Sequence, residues 1–171
     1  MISETTSTDP FAPLPHDARL WIFGTDRPLD ASEEARLLDA VDSFLDAWQA
    51  HGKELAAARD WREGRFLMVA VDESVAPPTG CSIDALRRLI QGMERELDVE
   101  MVGGGPVWYR DAADGGAVRR VSRTEFREAA ATGEITADTS VFDPALVRLA
   151  DLREGKWERR AAEGWHARLL P

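Results

Sequence analysis

The segment RFLMVAVDES, residues 65–74, constrains the fold of this chain more than any other stretch. It contains a continuous apolar run bounded by polar residues, which is typical of a central strand covered on both faces. A second apolar segment, RLWIFGTD (19–26), predicts another short buried strand that ends in a glycine-containing turn. We therefore expect a sheet with packed layers around it.

Helical patterns alternate with these two strands. Residues 29–52 carry one apolar stripe, and Asp30 with Glu33 has the spacing of a capping box at the start of a helix. Residues 53–61 predict a further short helix, and residues 82–98 show a second apolar stripe. The order strand, helix, strand, helix predicts a βαβα start, in which a right-handed crossover makes the first two strands parallel.

The pattern changes in the second half of the chain. Residues 103–111 and 116–122 predict the two strands of an antiparallel hairpin. Ser122 with Glu125 forms an S-x-x-E capping box that opens a short helix. The predicted fold class is α+β, or α/β. It has a βαβα start with a partly parallel sheet, then the hairpin and short C-terminal helices.

A length of 171 residues fits one domain of ordinary size. Residues 1–17 are rich in serine, threonine and proline and predict a flexible N-terminal tail. Residues 18–171 are then expected to form a single α+β domain, in which residues 117–171 are a candidate small C-terminal subdomain.

Charge and cysteine content narrow the class of protein. The formal net charge is −10, which argues against nucleic acid or an anionic membrane as the main partner and leaves a protein or a small molecule. A single cysteine excludes an internal disulfide and a cysteine-rich zinc site, and no metal or cofactor is assigned. Without an apolar signal segment or a membrane-length apolar run, the expected location is the cytoplasm.

Several short motifs occur in a recognisable order between residues 20 and 168: LWIF, W-x-x-HG-x-x-L from Trp48 to Leu55, RFLMVAVDE, GCSID, VFD and WHARL. In these the chain resembles an uncharacterised bacterial family, mostly from Bacteroidetes, whose members often carry the label ABC transporter ATPase. Such an ATPase needs G-x-x-x-x-G-K-[ST] to hold phosphates. Only the GGG at 103–105 is glycine-rich here, and proline follows it. The resemblance implies a shared fold and a shared site, without an activity.

A shorter resemblance concerns the second half of the chain. Residues 120–143 resemble small GYF-like adaptor modules through a short helix, Gly-x-Ile and Asp-Thr-x-Val. Farther on, Trp157 and Trp165 lie in a charged C-terminal segment. They are expected either to pin the C-terminus to the domain or to form an exposed aromatic patch for a partner.

Ligands of open α/β sheets collect beyond the carboxyl ends of parallel strands. Asp26 and Arg27 follow the first predicted strand, and Asp72 follows the second. The next loop leads to Cys81 and Ser82 at the start of a helix. If the two strands are parallel neighbours, these residues share one rim and form a candidate ligand site.

Cys81 is the candidate nucleophile of this rim, because the free amides at a helix N-terminus favour a thiolate. His166 is the candidate base, since a right-handed βαβ unit would place His51 at the opposite end of the sheet. Arg87 gives the spacing C-x5-R of cysteine-dependent phosphatases. The intervening SIDAL contains no glycine, and Asp84 opposes a thiolate.

Two functional hypotheses follow from these patterns. The first is a small cytosolic binding or regulatory domain without catalytic activity, since no complete catalytic constellation is visible. The second is a thiol-dependent hydrolase or transferase that uses Cys81, with His166 as base and Ser82 or backbone amides as anion donors.

Overall fold

The computed structural model describes residues 8–74, 76–102 and 105–171. The strands are Arg19–Thr25 (β1), Gln49–Ala50 (β2), Lys53–Glu54 (β3), Ala57–Arg62 (β4), Phe66–Val71 (β5), Met101–Val102 (β6), Val107–Asp111 (β7), Ala117–Val121 (β8), Ser140–Phe142 (β9) and Glu158–Arg160 (β10). The α-helices are Ala31–Asp46 (α1), Gly80–Leu97 (α2), Arg123–Ala131 (α3) and Leu149–Arg153 (α4). Short 3-10 helices cover Ala112–Asp114, Ala161–Glu163 and Trp165–Leu169.

The first sheet has the strand order β4-β5-β1-β6, and every neighbouring pair is antiparallel. The predicted parallel pairing of the first two strands is therefore wrong. β4, which was not predicted, follows α1 and runs in the same direction as β1, while β5 turns back and lies between them. The resulting βαββαβ unit has the split arrangement of ferredoxin-like folds.

The apolar run that predicted a doubly covered strand is β5, in which all six residues are buried. Its odd-numbered side chains, such as Leu67 and Val69, pack against the apolar stripes of α1 and α2. Its even-numbered side chains, such as Phe66 and Met68, pack on the opposite face against Trp108 of the second sheet. The prediction of a strand covered on both faces is thus confirmed.

The region between α1 and β5 differs from the prediction. The capping box of Asp30 and Glu33 is present, but α1 ends at Asp46 rather than near residue 52. His51 and Gly52 both have left-handed backbone angles and form the two-residue turn of the β2–β3 hairpin. The helix predicted over residues 53–61 is wrong, because tertiary pairing with β5 makes most of that segment strand β4.

The second sheet has the order β10-β9-β7-β8 and is also antiparallel. The predicted hairpin is confirmed as β7 and β8, although residues 103 and 104 of its first segment lie outside the described residues. The capping box of Ser122 and Glu125 opens α3 as predicted. One face of the sheet packs on the first sheet, and α3 with the last 3-10 helix covers the other.

Four layers therefore follow one another, namely helices, first sheet, second sheet and short helices, which confirms a mixed α+β fold. Phe11 and Leu14 are buried between the sheets. The prediction of a flexible tail is therefore wrong for residues 8–17. Residues 1–7 lie outside the described residues. The candidate C-terminal subdomain would begin at residue 117. A domain boundary there would separate β8 from β7, the strand with which it pairs. Within the described ranges, no helix has both the length and the hydropathy of a membrane span.

Candidate functional site

The residues expected at one rim of the first sheet do not lie together. Because β1 and β5 are antiparallel, Gly24 pairs with Phe66 while Arg19 pairs with Val71. Asp26 and Arg27 therefore lie at one end of the sheet and Asp72 at the other, about 27 Å away at ~3.4 Å per strand residue. The shared rim depended on parallel strands and is not formed.

The charged groups at these strand ends are already occupied by partners within the chain. Arg27 donates two hydrogen bonds to Glu33, at 2.7 and 2.8 Å, and a third to the carbonyl oxygen of Leu97 at 3.0 Å. The hydrogen bond from Arg27 lowers the pKa of Glu33 to about 2. Asp26 accepts from the backbone amide of Glu100 at 3.0 Å. These groups stabilise the ends of elements rather than face a ligand.

The candidate residues Asp72, Ser82 and Arg87 also have structural roles or positions that do not form a shared ligand site. Asp72 accepts hydrogen bonds from Ser74, which lower the pKa of its carboxyl. Ser82 is buried, and its hydroxyl contacts Thr79 at 2.8 Å and the Gln49 carbonyl at 3.2 Å as part of the helix cap. Arg87 is exposed on the continuous helix α2, about 9 Å along the axis from residue 81, so this spacing forms no phosphate loop.

The structure does not bring Cys81 and His166 together. Cys81 is exposed at the start of α2, outside the first sheet, whereas His166 is buried outside the second sheet. Both sheets lie between the two residues. Cys81 instead lines a cavity of about 380 Å³ with His51, so the prediction that His51 lies at the opposite end from Cys81 is wrong. The β2–β3 hairpin carries His51 to this position.

His166 has a packing role beneath a tryptophan. Its ring stacks on Trp165 with a centroid distance of 3.9 Å, and it also contacts Phe126. The described residues offer neither ring nitrogen a partner in hydrogen-bonding geometry. Burial lowers the pKa of His166 to about 4, so the imidazole is neutral at physiological pH.

The outer side of this tryptophan faces a different cavity, of about 350 Å³, between α3 and the last 3-10 helix. Three arginines line it, Arg123, Arg127 and Arg168, and we call it the arginine cavity. The remaining wall is largely apolar and includes Pro106, Pro144, Trp165 and Leu169. The two C-terminal tryptophans differ. Trp157 is buried in the core and pins the C-terminal segment there, as in the first expectation. Trp165 is half-buried and lines the arginine cavity.

Local structure positions each wall of the arginine cavity. The capping box at Ser122 starts α3 at Arg123, which places Arg123 and Arg127 one helical turn apart on the same side. The guanidinium of Arg123 lies 5.0 Å from the ring centroid of Trp165 and donates to the Gly105 carbonyl at 3.2 Å. The indole nitrogen of Trp165 donates in turn to buried Asp143 at 3.2 Å.

The arginines of this cavity share the lack of a carboxylate partner within the described residues. Most arginines among the described residues form ion pairs with carboxylates. Arg123, Arg127 and Arg168 form none with any carboxylate of residues 8–74, 76–102 and 105–171. Three uncompensated positive charges therefore meet at one cavity of an acidic protein.

Sequence reasoning missed these arginines, although one signal was present. Arg123 and Arg127 lie in the first two turns of α3, where the positive end of the helix dipole disfavours cations. A pair of arginines at that position is unfavourable for the isolated helix and indicates a tertiary role. Arg168 lies 41 positions after Arg127 in the sequence, and no local pattern connects the two.

Comparisons with known proteins add no further residue to the site. No protein-family model, no curated protein and no solved structure matches the chain. In the part of the chain that the structure describes, no group of three or more His, Cys, Asp or Glu side chains is placed to hold a metal ion. The arginine cavity is therefore defined by its own geometry and charge.

Proposed function

We propose that this protein is a non-catalytic binding module and that the arginine cavity holds an anionic group of its ligand. The observation that carries the proposal is a set of three arginines around one cavity that have no carboxylate partner within residues 8–74, 76–102 and 105–171. Guanidinium groups bind carboxylates and phosphates with paired, charge-assisted hydrogen bonds. Since the described residues supply no carboxylate partner to these arginines, a ligand can supply one.

The cavity wall also supports binding rather than catalysis. Its titratable side chains are arginines, which stay protonated and cannot act as a general base or nucleophile at neutral pH. The apolar surface of Pro106, Pro144 and Leu169 gives a ligand hydrophobic contact beside the charges, as in most small-ligand sites.

Calorimetric titration with glutarate, a small dicarboxylate, tests the proposal. We expect saturable binding that weakens at least tenfold in the double variant Arg127→Gln/Arg168→Gln, because each lost charge-assisted hydrogen bond contributes about 1.5–3 kcal/mol.

Arg87→Gln/Arg88→Gln is the matched control, since both arginines are exposed on α2, form no ion pair within the described residues and lie far from α3. This control should bind glutarate within twofold of the unsubstituted protein. Equal losses in the two double variants would show that net charge alone attracts glutarate, and the proposal would be abandoned.

A further inference from the structure

We infer that the ligand of the arginine cavity is an extended acidic segment of a partner protein, which continues from this cavity into a neighbouring one. The inference rests on the proposed function and adds the class of ligand to it. Three observations carry it: the adjoining second cavity, the open edge of β8, and the groups already in contact with Trp165.

The second cavity, of about 390 Å³, adjoins the arginine cavity directly. The two share Gly105, Pro106 and Arg123 in their walls. Arg120 and Val121, at the end of β8, line the second cavity on its far side. A ligand that fills both cavities must be elongated, whereas a single small anion fills only one.

The second cavity lies at the end of β8, which is an edge strand of the second sheet. β8 pairs with β7 on one side, and no strand of the described residues pairs with its other side. The carbonyl of Val118 faces this open side, where it accepts from Arg65 at 2.6 Å. Alternate residues of a strand direct their backbone groups to the same side, so those of Arg120 face it too. An extended peptide can hydrogen-bond to such an edge.

The charges along this path favour a peptide with carboxylates. Arg120 carries a fourth positive charge, and its present partner, Glu100, has a side chain that is 67% exposed. A carboxylate of the ligand can replace so exposed a partner at little cost. The carboxylate of Glu125, also in the second cavity, already accepts from the Ser122 amide at 2.7 Å. It is therefore occupied as part of the helix cap.

The same surroundings disfavour a nucleic acid. Single-stranded nucleic acids bind by stacking bases on open aromatic faces along a basic track. Here the ring of Trp165 is already in contact with two groups of the chain, the stacked ring of His166 and the guanidinium of Arg123.

The test compares three probes by calorimetry at one salt concentration: glutarate, a hexaglutamate peptide with blocked ends, and a single-stranded hexathymidylate. We expect hexaglutamate to bind at least tenfold more tightly than glutarate and more tightly than hexathymidylate. Amide chemical shifts should change for residues of both cavities with hexaglutamate, and for the arginine cavity alone with glutarate.

Arg120→Gln separates this inference from the proposed function. It should weaken hexaglutamate binding at least threefold and leave glutarate binding within twofold. Arg119→Gln is the matched control, because Arg119 lies next in β8 on the opposite face of the sheet, and it should change neither affinity beyond twofold.

The remaining outcomes are unambiguous. If glutarate binds as proposed but hexaglutamate binds no more tightly, or is unaffected by Arg120→Gln, the acidic peptide is ruled out while the proposed function stands. Tighter binding of hexathymidylate would overturn the inference in favour of a nucleic acid. If glutarate does not bind at the arginine cavity, the proposed function itself fails.

Discussion

The end of the first sheet near Arg27 and the arginine cavity both display arginine side chains, but their surroundings differ. Arg27 finds a carboxylate in Glu33 and a backbone carbonyl in Leu97. Arg127 and Arg168 find no carboxylate among the described residues. The difference shows that the position of a charged residue at a strand or helix end does not make a site. A site needs charges that the chain itself leaves unpaired.

Arg65 extends the comparison to the interior. It is 5% exposed and donates to the carbonyl oxygens of Thr25 at the end of β1, of Asp26 directly after it, and of Val118 in β8 of the second sheet. Such an arginine holds the layers together, and its guanidinium is largely occupied by backbone carbonyls. The three predictions below test this distinction between occupied and unoccupied polar groups, in order of decreasing effect.

The largest effect is expected for Arg65→Met. This substitution keeps most of the side-chain volume but leaves three carbonyl oxygens without their donor, and each buried unsatisfied group costs about 1–3 kcal/mol. We expect the free energy of unfolding, measured by urea denaturation, to fall by about 4 kcal/mol.

Arg36→Met is the control for this measurement. Arg36 pairs with Glu96 at 3.6 Å on the surface, where both side chains are about half exposed. Its substitution should change stability by less than about 0.5 kcal/mol. A similar loss in both variants would mean that the buried hydrogen bonds of Arg65 contribute no more than a surface pair.

A smaller effect is expected from His166, the neutral imidazole behind the wall of the arginine cavity. Its pKa of about 4 in the folded state lies below the ordinary value of 6.5, so between these values the unfolded chain binds the proton and the folded one does not. Stability therefore rises with pH through this window and is fully present above about pH 6.5. We expect a loss of about 2 kcal/mol in unfolding free energy from pH 7 to pH 5.

His166→Phe removes the titrating group and keeps an aromatic ring against Trp165. The variant and the unsubstituted protein are compared by their change in unfolding free energy between pH 7 and pH 5, not by their stability at pH 7. In the variant this loss should shrink to less than about 0.5 kcal/mol. An unchanged loss in this variant would assign the pH dependence to other groups and contradict a buried neutral His166.

The smallest effect concerns the ion pair of Arg27 with Glu33, in which the arginine side chain is 43% exposed. Glu33 has its pKa lowered to about 2, so its contribution to stability is present above about pH 4.5 and is lost as the pH falls towards 2. In Arg27→Gln, a carboxyl-carbon NMR titration should show the pKa of Glu33 rise towards 4.5. It should stay below that value, because the Asp30 amide still donates to Glu33. A pKa that remains near 2 would contradict Arg27 as its main cause.

Some features of this protein were predictable because their causes lie within a few residues of one another. The capping boxes at Asp30 and Ser122 depend on contacts three residues apart, and the buried β5 follows from six consecutive apolar residues. The starts of two helices, the central strand and the second hairpin were therefore predicted correctly. None of these features required a distant contact.

The tertiary structure alone decided how those elements pair and which charges remain unpaired. A buried strand has the same apolar sequence in a parallel and in an antiparallel sheet, so the direction of β5 against β1 depended on the unpredicted strand β4. That direction separated Asp26 from Asp72 and brought His51 to Cys81. The arginine cavity likewise arises only where α3 meets the last 3-10 helix, since the partners of a long charged side chain are set by packing and not by its neighbours in sequence.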